Sequence, residues 1–345
     1  SDDLAALAEA SPEFESLWVL SVSQEFTAGR LGPGLARAEA GRDRFPNSSR
    51  SARLLAEAYG VAERWRDALI AAEAWAALSV NSRWEADVLA ARAERELGRP
   101  SAAADRLDPY ADAVWAASLD RPNLTKELSL AWAATGRSAE AREVLEPLLS
   151  VDERWRWTWL DAAVLGVSST RESGRWLERL EPVIPAEAWS ERAALAKAWW
   201  AVGMRDSYAP FRAKGREIGE ALTAGPGATA ELWYFVGSAA EVEGDWAAAE
   251  SSYRKALDRD PRLAGASNNL AMLLADHGDV QEAIQWAKRT VEVVPHEPNF
   301  HDTLAYALRR AGQLDEARDA IKRAIELDPG NPAWRTRLNE IVVAQ

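Results

Sequence analysis

The chain has 345 residues, 48% of them hydrophobic and 28% charged, so it is long enough and apolar enough to build two domains or one elongated array. Its formal net charge of −13 argues against a nucleic acid as partner, because phosphate binding requires clustered Lys and Arg side chains. The absence of cysteine excludes disulfides and thiolate chemistry, and no apolar run reaches the ~20 residues of a membrane span.

The N-terminal two thirds of the chain predict helix pairs in which small residues recur loosely at helical spacing. The first pair covers about residues 11–45, and three further pairs follow at 51–75, 83–110 and 122–150. In the pair at 51–75, Glu63 stands between the helices where the other pairs place Gly. The segments 151–183 and 186–224 have helical periodicity, but they do not match the pattern of small residues.

Two Gly-Pro-Gly sequences, at residues 32–34 and 225–227, are predicted helix breakers. They lack the Lys-Ser/Thr or strand context of phosphate-binding loops. The second sequence is a candidate joint between a divergent N-terminal array and a regular C-terminal array. We therefore predict divergent helical repeats over residues 1–224 and regular repeats over residues 228–331.

The regular repeats have a period of 34 residues. Each period contains one Gly, one Ala and one Pro at equivalent places, which are Gly244, Gly278 and Gly312, Ala249, Ala283 and Ala317, and Pro261, Pro295 and Pro329. This pattern predicts two helices that meet at the Gly, with the Ala buried where the helices cross. One such hairpin cannot bury both of its faces, so successive hairpins should stack, and residues 332–345 should close the stack with a capping helix, Pro332 to Val343.

This alternation of small and large residues resembles the tetratricopeptide repeat family, most closely over residues 230–331. The residues that carry the resemblance in the first unit are Trp233, Val236, Gly237, Ala240, Ala249, Tyr253, Ala256 and Pro261, and the next two units have counterparts. The resemblance implies an all-α, right-handed superhelical solenoid of antiparallel helix pairs. It also implies a non-catalytic scaffold or adaptor that binds another protein or a peptide in a concave groove lined by the first helix of each pair.

The residues of these first helices that face away from the helix crossings are the predicted binding surface. They are Tyr234, Phe235, Asn268, Asn269, Met272, Asp302, Tyr306, Arg309 and Arg310. Asn amides can pair with an extended peptide backbone, aromatic rings can contact its side chains, and the two Arg can hold a carboxylate. Packing between adjacent first helices is the competing explanation for these residues.

Some members of the family bind the acidic C-terminus of chaperones through Lys, Asn and Arg on successive first helices. Asn269 stands at a matching place in this sequence, but Tyr234 and Thr303 stand where such a clamp needs other residues. Chaperone-tail binding is therefore not expected.

Tryptophan is unusually frequent, with 17 residues in the chain, and Trp155, Trp157 and Trp159 lie within five positions of each other. Helical spacing places Trp155 and Trp159 on one face and Trp157 nearly opposite. This arrangement predicts a helix that is packed on both sides, and the alternative is an aromatic anchor for a partner.

No set of residues predicts catalysis, a metal site or a cofactor. Carboxylate pairs at helix starts are explained by the helix dipole. The sequence HEPNFH at residues 296–301 has its two His five positions apart, whereas a zinc helix needs a spacing of four, so an exposed linker is expected. We accordingly predict that the chain is not an enzyme.

Two alternatives to the scaffold remain open at this stage. One is a structural subunit of a bacterial envelope assembly for polysaccharide or protein export, and the other is the regulatory part of a larger enzyme or sensor. The excess of Arg over Lys and the abundance of Ala indicate bacterial coding. The chain begins Ser-Asp-Asp without Met, so a removed export signal or anchor is conceivable, and both cytoplasm and periplasm stay open as compartments.

Overall fold

The computed structural model describes residues 2–11, 13–79, 83–166 and 169–343, and all regular elements within these ranges are helices. They form two compact units, residues 1–183 and residues 184–345. Among the helices so described, none is both long and apolar enough to cross a membrane. The expected all-α solenoid of helix pairs is confirmed, whereas the division into divergent and regular repeats remains a prediction.

The N-terminal unit consists of short helices that pack against their neighbours in the chain. They are α1 (Asp2–Ala10), α2 (Glu15–Thr27), α3 (Leu31–Arg44), α4 (Ser49–Val61), α5 (Trp65–Leu78), α6 (Arg83–Glu96), α7 (Pro100–Leu107), α8 (Ala111–Ala116), α9 (Pro122–Ala134), α10 (Ser138–Leu145), α11 (Glu153–Asp161) and α12 (Thr170–Leu180). A π-helical turn, Ala162–Gly166, continues α11.

The C-terminal unit contains four hairpins and a closing helix. The helices are α13 (Trp189–Arg205), α14 (Ala209–Thr223), α15 (Ala230–Val242), α16 (Trp246–Arg259), α17 (Ala264–His277), α18 (Val280–Val293), α19 (Pro298–Arg310), α20 (Leu314–Leu327) and α21 (Pro332–Val343). The three predicted units correspond to the pairs α15/α16, α17/α18 and α19/α20, and α21 has the predicted bounds.

Several turns inside the hairpins place a residue in the left-handed region, although Gly278, in the turn between α17 and α18, has φ at −140°. Gly244 and Gly312 adopt φ values of 79° and 74°, and in each turn the amide of the Gly and the amide of the next residue donate to carbonyls of the preceding helix. Glu63 makes the same turn with φ at 55°, and the amides of Glu63 and Arg64 donate to Gly60 and Tyr59 over 3.2 and 2.9 Å. The substitution noticed in the sequence therefore keeps the turn, at the cost of backbone strain.

The core of the C-terminal unit is continuous across its last three hairpins and α21. Ala249, Ala283 and Ala317 are each 0% exposed, which confirms that they lie at the helix crossings. The facing space is filled by large side chains such as Tyr253 and Ile321, which are also 0% exposed. Small and large residues thus alternate because the helix axes approach closely at each Ala.

The pair α13/α14 achieves a closer approach through glycines that the sequence pattern did not single out. A Cβ at Gly215 of α14 would lie 2.6 Å from the Ala196 carbonyl oxygen and 2.7 Å from the Trp200 nitrogen of α13. A Cβ at Gly203 of α13 would lie 2.7 Å from the Arg212 nitrogen of α14. The two backbones therefore touch directly at these points, and no larger residue fits between them.

The two Gly-Pro-Gly sequences have different structures. Residues 225–227 do interrupt the helices, and they wrap around Trp189, since Cβ atoms on Gly225 and Gly227 would lie 2.1 and 2.6 Å from its indole. The prediction that residues 32–34 break a helix was wrong, because they lie within the first turns of α3. Proline is tolerated there, since the first amides of a helix have no partner inside it.

Candidate functional site

The predicted binding residues of the C-terminal unit lie on α15, α17 and α19, the first helices of the three regular hairpins. Successive first helices pack against each other more extensively than successive second helices do. This places α15, α17 and α19 on the inner side of the stack. We call this surface, with the residues described below, the inner wall.

A polar network crosses the inner wall between α15 and α17. It starts at Tyr253 of α16, whose hydroxyl donates to the Glu241 carboxylate, lies 3.3 Å from Ser238 Oγ and accepts a hydrogen bond of 3.2 Å from Asn269 Nδ2. Burial and the Glu241 carboxylate raise the pKa of Tyr253 above its ordinary value, so the hydroxyl keeps its proton. The network fixes the orientation of Asn269.

Asn268 is the least satisfied amide of this surface. Its Nδ2 donates to Asn269 Oδ1 over a long 3.4 Å, and its buried Oδ1 has no hydrogen-bond partner among the residues that the structure describes. An amide can donate two hydrogen bonds and accept two, so most of this capacity is unused. Rotation of the amide about its last side-chain torsion would offer both its oxygen and its nitrogen to a ligand.

A second cluster lies between α17 and α19 and is centred on Tyr306. The Tyr306 hydroxyl donates to Asp276, and the guanidinium groups of Arg309 and Arg337 lie 5.6 and 5.2 Å from the ring centroid. Burial and Asp276 raise the pKa of Tyr306 above its ordinary value. Arg310 approaches Asp276 to 3.9 Å.

The charges of this cluster are only partly paired. Arg337 of α21 pairs with Asp302 at 3.1 Å, and burial raises the pKa of the Asp302 carboxyl despite this neighbour. Arg309, in contrast, has no carboxylate partner within the described part of the chain, and its Nε makes no hydrogen bond there. Arg309 is therefore the cation of the inner wall that remains available to an anionic group.

The aromatic residues predicted on α15 pack against neighbouring helices and are only partly exposed. The Tyr234 ring lies 6.0 Å from that of Tyr253 and covers Gly265 of the next hairpin, where a Cβ would approach it to 3.1 Å. Phe235 meets Trp200 edge-on at 6.3 Å, and it packs on α14. These rings and Met272 are half-buried. The structure thus brings Tyr234, Asn268 and Asn269 together, whereas Phe235 faces the preceding hairpin.

Several residues of the inner wall were not predicted as site residues. Tyr253 was assigned to the helix packing and Arg337 to the solvated face of the capping helix, and Glu241 and Asp276 were not considered. No local pattern identifies them, because the contacts join different helices. Asp276 and Tyr306, for example, are 30 positions apart in the sequence.

The tryptophan cluster of α11 belongs mainly to the core. Trp155 and Trp159 are both 0% exposed, and Trp159 donates to the Trp176 carbonyl over 2.6 Å with ring centroids 4.3 Å apart. Trp157 is 38% exposed. Of the three, only Trp157 offers a surface that a partner can contact without rearrangement.

The histidines of residues 296–301 do not share one environment. His296 is exposed, but His301 is buried on α19 and its Nε2 lies 2.9 Å from the Pro295 carbonyl oxygen. The prediction of an exposed linker was therefore wrong for His301, whose ring packs beneath the start of α19. Within the described ranges, no group of His, Asp and Glu side chains is arranged to hold a metal ion.

Comparison with solved structures finds helical repeat proteins. One is MamA from Desulfovibrio magneticus RS-1, with 20% identity and a TM-score of 0.40, over 44% of this chain and 84% of that protein. YrrB, a TPR protein with an unusual peptide-binding site, matches with 12% identity and a TM-score of 0.43, over 56% of this chain and 96% of its own. The first TPR of Spaghetti (RPAP3), solved with an HSP90 peptide, matches with 22% identity and a TM-score of 0.33, over 34% of this chain and 92% of its own.

No curated protein matches the chain significantly. Family models described as tetratricopeptide repeat match residues 218–264, 237–298 and 298–341, which covers all three regular hairpins and most of α21. This match agrees with the 34-residue period of Gly, Ala and Pro and with the buried alanines at the helix crossings. Residues 218–341 therefore carry the tetratricopeptide repeat pattern.

Proposed function

We propose that this chain is a non-catalytic scaffold that binds an extended segment of a partner protein across α15, α17 and α19. The observation that carries the proposal is that two adjacent first helices each carry a polar group with unused bonding capacity. These groups are the amide of Asn268 and the guanidinium of Arg309, which has no carboxylate partner in the described chain. A protein leaves few buried polar groups without a partner, and those that remain call for an explanation. A bound peptide would supply the missing hydrogen bonds.

The residues of the inner wall suggest how such a segment is held. Asn268, after rotation of its amide, would accept from a peptide N–H and donate to a peptide carbonyl, while the Tyr253 network keeps the adjacent Asn269 in place. Arg309 would bind a carboxylate of the segment, because it has no carboxylate partner of its own in the described chain. Tyr234 and Tyr306 would contact side chains beside these two points.

The proposal can be tested with peptides selected by display of random octapeptides on the full chain. Arg309→Ala should weaken the binding of the selected peptide by about 10-fold. The double substitution Tyr306→Ala and Arg309→Ala should weaken its binding by about 30-fold, which corresponds to ~2 kcal/mol. Asn268→Ala should also weaken it, without lowering the melting temperature, because the amide contributes little to the unbound fold.

Arg289→Ala is a matched control for Arg309→Ala. Arg289 lies on α18, a second helix, and its guanidinium stands 5.4 Å from the Trp286 ring centroid, which resembles the 5.6 Å of Arg309 over Tyr306. Its loss should leave peptide affinity unchanged. Equal effects of the two substitutions, or a melting temperature that falls while affinity stays constant, would show that the inner wall serves packing alone.

A further inference from the structure

A cavity in the N-terminal unit has no counterpart among the predicted binding residues. Its volume is about 440 Å³, and the residues that line it include Arg95, Glu96, Leu130, Asp161, Leu165 and Gly166. These residues belong to α6, α9, the end of α11 and the π-helical turn. The cavity therefore shares no lining residue with the inner wall.

Two helices end at this cavity. Glu96 is the last residue of α6 and Ala134 the last residue of α9, and both line the cavity together with Gly166 of the π-helical turn. Turn amides cap several of the final carbonyls, but the aligned peptide dipoles still leave negative potential at each helix C-terminus. The convergence of two such ends favours a cation.

The π-helical turn packs directly against α9 at this place. Gly166 lies so close to α9 that a Cβ there would stand 2.5 Å from Ala133 Cβ and 3.0 Å from the Ala133 carbonyl carbon. A π-helical turn is rare and recurs near functional sites. Here it holds Asp161 and Leu165 beside the ends of α6 and α9.

Asp161 supplies a formal charge that has no counter-ion. It is half-buried, and it forms no hydrogen bond or ion pair with any residue that the structure describes. Burial raises the pKa of its carboxyl, and the negative charge of Glu96 raises it further. The positive charges of Lys126 and Arg95 lower this pKa from a distance. Arg95 cannot neutralise it, because its guanidinium is shared between Glu96 at 3.0 Å and Glu127 at 3.3 Å.

Apart from Asp161, Arg95 and Glu96, the side chains that line the cavity are apolar. Leu165 is 71% exposed at the rim, and Leu130, Ala134 and Pro100 also line the cavity. Long basic side chains place their methylene stems on apolar surface and extend their charged end to a polar group. A cavity with a carboxylate at one point and a leucine at its rim matches this shape and chemistry.

We propose that this cavity binds a Lys or Arg side chain from a basic segment of a partner protein. The ammonium or guanidinium group pairs with Asp161 and the negative helix ends, and the stem packs against Leu165. The net charge of −13 attracts such a segment to the chain before contact.

The test uses fluorescein-labelled heptapeptides, Gly-Ser-Leu-X-Leu-Ser-Gly, in which X is Lys, Arg, norleucine or Glu. Their affinity for the full chain is measured by fluorescence anisotropy at low ionic strength. The Lys and Arg peptides should bind about 10-fold more tightly than the norleucine peptide, because the charged end gains a partly buried carboxylate partner. The Glu peptide should bind weakest.

Asp161→Asn should reduce the affinity of the Lys peptide to that of the norleucine peptide. The melting temperature should stay unchanged or rise, because the substitution removes an unpaired charge from a half-buried position. A carboxylate with a structural role would give a lower melting temperature instead. Asp112→Asn, which alters an exposed carboxylate on α8 outside the cavity, is the control and should change neither quantity.

Leu165→Ala provides a second variant, whose exposed side chain contributes little to folding. It should weaken the Lys and norleucine peptides by similar factors, because both lose the same apolar contact. Equal binding of Lys and norleucine peptides to the parent chain, tighter binding of the Glu peptide, or unchanged Lys-peptide affinity after Asp161→Asn would each overturn the proposal. Arg309→Ala should leave these affinities unchanged. The experiment can therefore refute the proposal for this cavity without refuting the proposal for the inner wall.

Discussion

Replacement of Gly215 by Ala tests the close approach of α13 and α14. The new Cβ would lie 2.6 Å from a carbonyl oxygen and 2.7 Å from a backbone nitrogen of α13, and neither atom can move without its helix. Overpacking of this kind costs about 1–3 kcal/mol, and the better helix propensity of Ala returns ~0.5–1 kcal/mol. We expect the free energy of unfolding of the C-terminal unit to fall by ~1 kcal/mol, measured by urea titration with circular dichroism.

Gly60→Ala is the matched control, since Gly60 also lies inside a helix, α4, but the nearest atom to a new Cβ is Leu89 Cδ1 at 3.5 Å. That distance is ordinary van der Waals contact, so only the propensity gain should remain, and stability should rise by ~0.5–1 kcal/mol. The two substitutions should therefore have opposite signs. If Gly215→Ala is as stable as the parent, the two backbones do not meet at this residue in solution.

Three further predictions address single positions. Ala283→Leu and Ala317→Leu should each cost ~1–3 kcal/mol, because both sites are closed, and unchanged melting curves would mean that the helix crossings lie elsewhere. Glu63→Gly should raise the melting temperature by relieving the left-handed backbone, a gain of ~0.5–1 kcal/mol that a lower melting temperature would contradict. The Arg254 guanidinium, at 2.6 Å, lowers the pKa of Glu282 below 4.5, with burial opposing and Trp286 assisting. The stabilisation by Glu282 is complete above the pKa of this carboxyl in the unfolded chain, and it is lost as the pH falls through its pKa in the folded chain. Glu282→Gln should therefore lower the free energy of unfolding at about pH 7 but not at acidic pH, which parallel urea titrations measure.

The regular part of the fold could be predicted because its rules repeat. One Gly, one Ala and one Pro per 34 residues determine the turn, the helix crossing and the helix end, and α21 followed from the same reasoning. The crossing of α13 and α14 could not be found in this way, since Gly203 and Gly215 occur once and resemble ordinary helix-weakening residues until the partner backbone is known. Pro33 was misjudged because its effect depends on its position within a helix.

The candidate site was only partly predictable. Helical periodicity predicted that Asn268 and Arg309 lie on first helices, and both residues do lie on α17 and α19. It could not show that Asn269 is held by Tyr253 or that Arg309 lacks a carboxylate, because both depend on contacts between helices. The cavity at Asp161 arises where the ends of α6 and α9 meet the π-helical turn, and no spacing rule connects these three segments of the sequence.

The continuous core of the last three hairpins has a consequence for how the gene can change. Each hairpin buries one face against its predecessor and offers an equivalent face to its successor, so the hairpins are interchangeable in principle. In-frame duplication of one 34-residue unit would insert a hairpin without creating a new type of contact, and it would lengthen the stack by roughly 10 Å. The reach of the inner wall is therefore a quantity that evolution or design can adjust in whole units.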